Sequence, residues 1–121
     1  MTTVSSDATN VAVVQGQLSG PPRRRALPSG SLLVEFDVTT RGDGGSSSVP
    51  VAWFDPGPLA ESLEQGATVV VVGHVRRRFF RAGAVTQSRT EVVASRVLLA
   101  SRRAQVARLL DEVAAAIGAR P

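Results

Sequence analysis

The sequence predicts an all-β domain, a small five-stranded barrel with one helix added at its C-terminal end. Three observations carry that expectation. Valine supplies 19 of the 121 residues and only five residues are aromatic, and a side chain branched at Cβ suits a pleated surface. Leu32 to Thr40 alternates apolar and polar residues, the pattern of a strand with one buried face. Short runs of this kind are separated by Gly- and Pro-rich turns, and helical spacing sustained over several turns appears at the end.

Residues 1–9 are small and polar and predict a flexible tail, followed by a barrel domain over 10–100 and a helix over 101–121. Asn10 to Leu18 is the first strand. Pro21 and Pro22 cannot donate ladder hydrogen bonds, so they end it or confine it to a sheet edge. Arg23 to Arg25 follow, then the turn Leu27-Pro28-Ser29-Gly30. In the next strand Leu32, Val34, Phe36 and Val38 share one face, and Leu33, Glu35, Asp37 and Thr39 the other. Arg41 to Ser48 is Gly/Ser-rich and reads as a loop, and Val49 to Phe54 as a short strand.

Pro58, Leu59 and Leu63 predict a short helix that Gly66 ends. Thr68 to Phe80 is the longest strand. Its Val69 to Val72 are apolar on both faces, which requires a covered or closed sheet, and Gly73 marks a bulge or bend. Ala82-Gly83-Ala84 makes a hairpin into a last strand, Val85 to Ala94. Val106, Leu109, Leu110, Val113 and Ile117 then recur at helical spacing between Arg102 and Ile117. A helix of about 16 residues is marginal alone, so its apolar stripe needs either the chain's own barrel or a second subunit. Five strands with a short helix between the third and fourth are the order of an OB-fold, a five-stranded Greek-key barrel.

Composition narrows the function classes. With no Cys there is no disulfide framework, thiolate metal site or cysteine nucleophile. His74 is the single histidine, and no Gly-x-Ser-x-Gly turn or phosphate-binding Gly/Lys loop occurs. Asp55, Glu61 and Glu64 form the one acidic cluster and read as a solvated helix face. The expectation is no enzyme, no cofactor and no metal. No apolar run reaches the roughly 20 residues that span a bilayer, and the N-terminus lacks a signal-peptide pattern. A cytoplasmic, nucleoid-associated protein with no membrane partner is expected.

The charge pattern points to a partner. All 14 cationic residues are Arg, and the chain carries a net +4. Codon usage in a GC-rich genome accounts for the missing Lys but not for where the Arg residues sit. Between Val72 and Arg103 eight arginines face one acid, Glu91, a local net of +7. Such blocks pair with polyanions. On an unbroken strand His74, Arg76, Arg78 and Phe80 share one face, and Arg77 and Phe79 the other. Cations beside rings are the equipment of single-strand binders. Trp53 and Phe54 point to opposite faces, one to the core and one outward, and alternation alone leaves open which.

Asn10, Gly16, Leu18, Pro22, Arg25, Pro28 and Gly30, at their spacing, resemble the opening of bacterial single-stranded DNA-binding proteins (SSB). Leu63-x-x-Gly66, Val69 to Gly73, Arg76-x-Arg78 with Phe80, and Thr90-Glu91-Val92-Val93 continue the resemblance over Asn10 to Ala94. The Arg-rich, Lys-free style is similar to actinobacterial members. The resemblance implies an OB-fold, sequence-independent binding of single-stranded DNA, and assembly into a homo-oligomer, dimer or tetramer. It implies phosphate contacts by Arg25, Arg76 and Arg78 and base stacking by Phe80. Beside those four, charge and position nominate Arg23, Arg24, Arg41, Trp53, Phe54, Arg81 and Arg89 for the interface.

Two departures matter. The family's aromatics around the second and third strands are replaced by Thr40-Arg41-Gly42-Asp43 and Ser46-Ser47-Ser48, and its disordered tail with an acidic tip is replaced by the terminal helix. The pattern is that of a divergent, tailless paralogue. The roles implied are in replication, recombination or repair, with repair or replication proteins as further partners. The alternative is a primosome-type protein-interaction module with weak DNA binding.

Overall fold

The computed structural model describes residues 8–118. The first seven residues of the expected tail and the last three of the expected helical segment lie outside them. Six strands and one helix follow in order: β1 (Ala12–Leu18), β2 (Arg23–Ala26), β3 (Leu32–Gly42), β4 (Gly45–Phe54), β5 (Thr68–Ala82), β6 (Val85–Leu99) and α1 (Arg103–Gly118). Between β4 and β5 the chain makes a 3-10 turn, Pro58–Glu61, with Pro58 at its first position.

Five strands close a barrel. β1 pairs with β5, β5 with β6, β6 with β4, β4 with β3, and β3 returns to β1, while β2 adds to the outer edge of β3. The β4–β6 pair is parallel and the others are antiparallel. This closed five-stranded barrel with its C-terminal helix is consistent with an OB-like fold.

Closure depends on β1, which pairs with β5 from Ala12↔Gly73 to Gln17↔Thr68 and crosses to β3 at Gln17↔Thr39 and Leu18↔Val38. Gly16 stands at the crossing, where a Cβ would lie 2.3 Å from the Thr39 carbonyl oxygen. At the other end the Asn10 side chain extends the β1–β5 ladder. Its Nδ2 donates to the Val75 carbonyl at 2.8 Å and its Oδ1 accepts the Val75 N–H at 2.9 Å, so one side-chain amide does the work of a peptide unit.

Alternation decides the interior. Val34, Phe36 and Val38 of β3, Val51 and Trp53 of β4, Val69 and Val71 of β5, and Val92, Ala94 and Val97 of β6 form one buried cluster with Leu18, Ala60 and Leu63. Each Val, Leu or Phe among them stabilises the fold by about 1.5–3 kcal/mol relative to exposure. Val70 and Val72 point the other way and are buried too, as two apolar faces on β5 led one to expect. The expected bulge at Gly73 is present as a register shift between Val72 and Gly73.

Several segments differ from the sequence reading: Arg23–Ala26 forms a strand, and the expected short helix is a 3-10 turn that ends at Glu61 instead of Gly66. Residues 41–48 do not form a loop: β3 and β4 continue pairing through Thr39↔Ser48 and Arg41↔Ser46 to Gly42↔Gly45. Low strand propensity in Ser and Gly is overridden by the ladder that the adjacent residues begin. The last strand runs on to Leu99. On α1, Leu109 is buried and Val106 and Val113 half-buried. The burial is within a single chain, so this edge of the stripe packs on the protein's own body. Leu110 and Ile117 stay exposed.

Candidate nucleic-acid interface

The strand registers assemble one continuous outer face. Arg23↔Glu35, Glu35↔Ala52, Ala52↔Val93 and Val93↔His74 make a row across β2, β3, β4, β6 and β5. Beside it Arg25, Leu33 and Phe54 make a second row. Further out on β5 and β6 come Arg76 opposite Glu91, Arg78 opposite Arg89, and Phe80 opposite Gln87.

Glu91 organises the centre of this face. It is 1% exposed, and Arg76 Nη2 donates to its Oε2 at 2.5 Å, with Arg76 Nε at 3.2 Å and Arg78 Nε at 3.1 Å. Arg89 Nε stands 3.4 Å from Oε1, close enough for ion pairing but without hydrogen-bond geometry, and that nitrogen is buried with no hydrogen-bond partner. Burial alone would push the Glu91 carboxyl up. The bonds from Arg76 and Arg78 outweigh it and hold the carboxyl below its ordinary value. Three guanidiniums around one carboxylate leave a net +2.

Rings lie beneath the cations. Arg76 Cζ is 5.5 Å from the centroid of Phe54, and Arg78 Cζ is 5.4 Å from that of Phe80. Both are within cation–π range. From Phe54 to Phe80 the face therefore runs ring, two guanidiniums, ring, and Phe80 is 37% exposed.

The nominated residues divide. Arg76, Arg78 and Arg89 come together around Glu91, with Phe54 beside Arg76 and Phe80 beside Arg78. Arg23 and Arg25 lie on the same face, Arg25 with its Nη2 3.5 Å from Glu35. Arg41 has the same strand parity but sits near the tip of the β3–β4 hairpin, exposed.

Three residues do not belong to the face. Trp53 is 7% exposed and part of the core, so it cannot stack on a base without leaving the barrel. This resolves the Trp53/Phe54 alternation, with Phe54 outward. Arg24 lies opposite Val34, an interior residue, and its guanidinium donates to the Ala60 carbonyl, tying β2 to the 3-10 turn. Arg81 falls on the opposite surface of β5 from Arg78 and Phe80. Acrylamide should quench Trp53 fluorescence far less than free tryptophan, whereas quenching at the free rate would place the indole at the surface.

Glu91 escaped sequence reasoning as a site residue, because a lone acid in a basic stretch registers only as a lost charge. The usable signal was its period-2 spacing from Arg89, which puts both on the face of Arg76 and Arg78 once the strands are paired. The acidic residues nominated as a helix face are separate: Asp55 closes the β3–β4 end by donating its N–H to the Leu32 carbonyl at 2.8 Å, and Glu61 and Glu64 are exposed. Among the described residues no group of three His, Cys, Asp or Glu is placed to hold a metal, and no helix is long and apolar enough to cross a membrane. A scan against protein-family models and a search of curated proteins find no match to this chain, so the likeness to SSB proteins rests on the sequence motifs alone.

Proposed function

We propose that this protein binds single-stranded DNA without sequence preference, as an OB-fold of Greek-key type in which the 3-10 turn Pro58–Glu61 stands for the helix between the third and fourth barrel strands. The observation that carries the reading is the face on which Arg76 and Arg78 overlie Phe54 and Phe80 beside Arg89. Guanidinium edges not bound to Glu91 would meet phosphates, and Phe80 would stack on a base. Sequence-tolerant binders combine these two contacts, each stacked base contributing about 1–3 kcal/mol. The setting would be replication, recombination or repair in the cytoplasm, and the assembly a homo-oligomer.

Anisotropy titration of labelled oligo-dT at several salt concentrations tests the reading. Three neutralised phosphates should give a slope of log K against log salt of about −2, from about 0.7 per phosphate. Phe80→Ala should weaken binding about tenfold with the slope unchanged, because it removes stacking and no charge. Absence of binding at low salt, or an affinity indifferent to salt, would sink the proposal.

A second reading, a protein-interaction module with weak DNA binding, draws on Leu110 and Ile117, which α1 leaves exposed. Light scattering followed by a pull-down separates the two.

A further inference from the structure

Beyond Arg76 and Glu91, β5 and β6 leave the barrel. The last β1–β5 backbone pair is Ala12↔Gly73 and the last β4–β6 pairs are Val51↔Val92 and Ala52↔Val93. From Arg76↔Glu91 to Ala82↔Val85 the two strands pair, among the described strands, only with each other. These seven pairs make a ribbon about 20 Å long at roughly 3.4 Å per residue. Toward its tip, from Phe79 to Ala82 and from Val85 to Ser88, the ribbon is exposed on both faces, and the run Arg76-Arg77-Arg78-Phe79-Phe80-Arg81 loads both of them.

Phe80 and Arg78 lie on the face already described. The other face carries Arg77, Phe79 and Arg81, opposite Thr90, Ser88 and Thr86, with no acid among the six. Here the arrangement repeats: Arg77 Cζ lies 5.5 Å over the Phe79 ring, and Arg77 Nη2 donates to Ser88 Oγ at 3.0 Å. Phe79 is 67% exposed, the most exposed large hydrophobic side chain among the described residues. One side of its ring is under a cation and most of the remainder meets water. A held ring between two arginines, with no acid among the six described residues of these pairs, fits a polyanion that also offers flat apolar surfaces.

We infer that the Arg77–Phe79–Arg81 face is a second contact site for single-stranded nucleic acid, so that one strand long enough to pass around the ribbon engages both of its faces. This rests on the function proposed above. The ligand is the same in chemistry as for the first face, with phosphates for Arg77 and Arg81 and a base for Phe79. The two rings are successive residues of β5 and therefore point in opposite directions. A strand must turn about the ribbon to reach both.

The test compares the intact chain with Phe79→Ala and Phe80→Ala, on oligo-dT of about 8 nucleotides, within the range of one binding face, and of about 30. Phe80→Ala should weaken both. Phe79→Ala should weaken the long oligomer about tenfold and leave the short one within about twofold. Thermal unfolding should be unchanged, since the ring is exposed. Equal loss on both lengths, or no loss on either, overturns the inference while leaving the first face intact. A Phe79→Ala variant that changes the oligomeric mass without DNA also overturns it, by assigning the ring to a contact between protein copies. If the intact chain binds neither oligomer, it is the proposed function that fails.

Discussion

Gly73→Ala should lower the unfolding free energy by about 3 kcal/mol, the upper end of the cost of forcing extra atoms into a packed site. An added Cβ would stand 1.9 Å from the Val93 carbonyl oxygen, 2.8 Å from its carbon and 3.0 Å from Ala94 Cα. All three are backbone atoms of β6, so no side-chain rotation relieves the contact. The strand must move, and it moves at the bulge where β5 slips register against β6 and where β1 ends its ladder. Urea unfolding should show a lower midpoint with an unchanged slope, the signature of lost stability rather than altered compactness. Gly20→Ala is the control, since nothing lies within 4 Å of the Cβ it would add. A Gly73→Ala midpoint equal to that of the control would mean that β6 yields freely there.

Glu91→Ala should cost about 2 kcal/mol. Removing one member of a buried ion pair typically costs about 3–5 kcal/mol, because the other charge stays desolvated. Arg76, Arg78 and Arg89 each keep roughly a third of their side-chain surface in water, which screens the unpaired charges and lets them turn outward. Loss should concentrate in the β5–β6 ribbon, since a two-stranded hairpin has little stability of its own and Glu91 ties its two strands at their root. Amide exchange at Arg77 to Ala82 should accelerate more than exchange at Val69 to Val72.

The same residue sets an acid dependence. The folded Glu91 carboxyl is held below its ordinary value by the Arg76 and Arg78 guanidiniums, so the unfolded chain binds the proton more tightly. The stabilisation is fully present above the unfolded value and is lost as pH falls through the lower folded one. Unfolding free energy should therefore decline below about pH 4.5 in the natural chain and less steeply in Glu91→Gln. Parallel acid limbs would show that other carboxylates carry the effect.

What could be read from the sequence was what local pattern determines. Leu32 to Thr40 alternates because β3 has one wet face, and Val69 to Val72 does not because β5 is covered on both. Gly73 announced the bulge because only a residue without Cβ tolerates the approach of Val93. β2 was invisible: Arg23, Arg24 and Arg25 have no alternation, and the strand exists because β3 offers a free edge. Trp53 and Phe54 were undecidable one strand at a time, since inside and outside on β4 are fixed by its register with β3. The face around Glu91 was half legible. Arg76, Arg78 and Phe80 follow from period 2 along one strand, but their tie to Glu91 and Phe54 crosses strands far apart in sequence.

The clasp of Asn10 on Val75 joins residues 65 positions apart. During synthesis from the N-terminus, β1 is made first and reaches β3 through only two pairs, Gln17↔Thr39 and Leu18↔Val38, until β5 emerges. The exposed Val11 and Val13 then belong to a nearly unpartnered apolar segment, the kind of edge that recruits other nascent chains. The two hairpins can zip as they appear, but the barrel closes late. Closure waits for β6, whose parallel pairing with β4 is the last link of the ring, so the barrel is complete only once the final strand has been delivered.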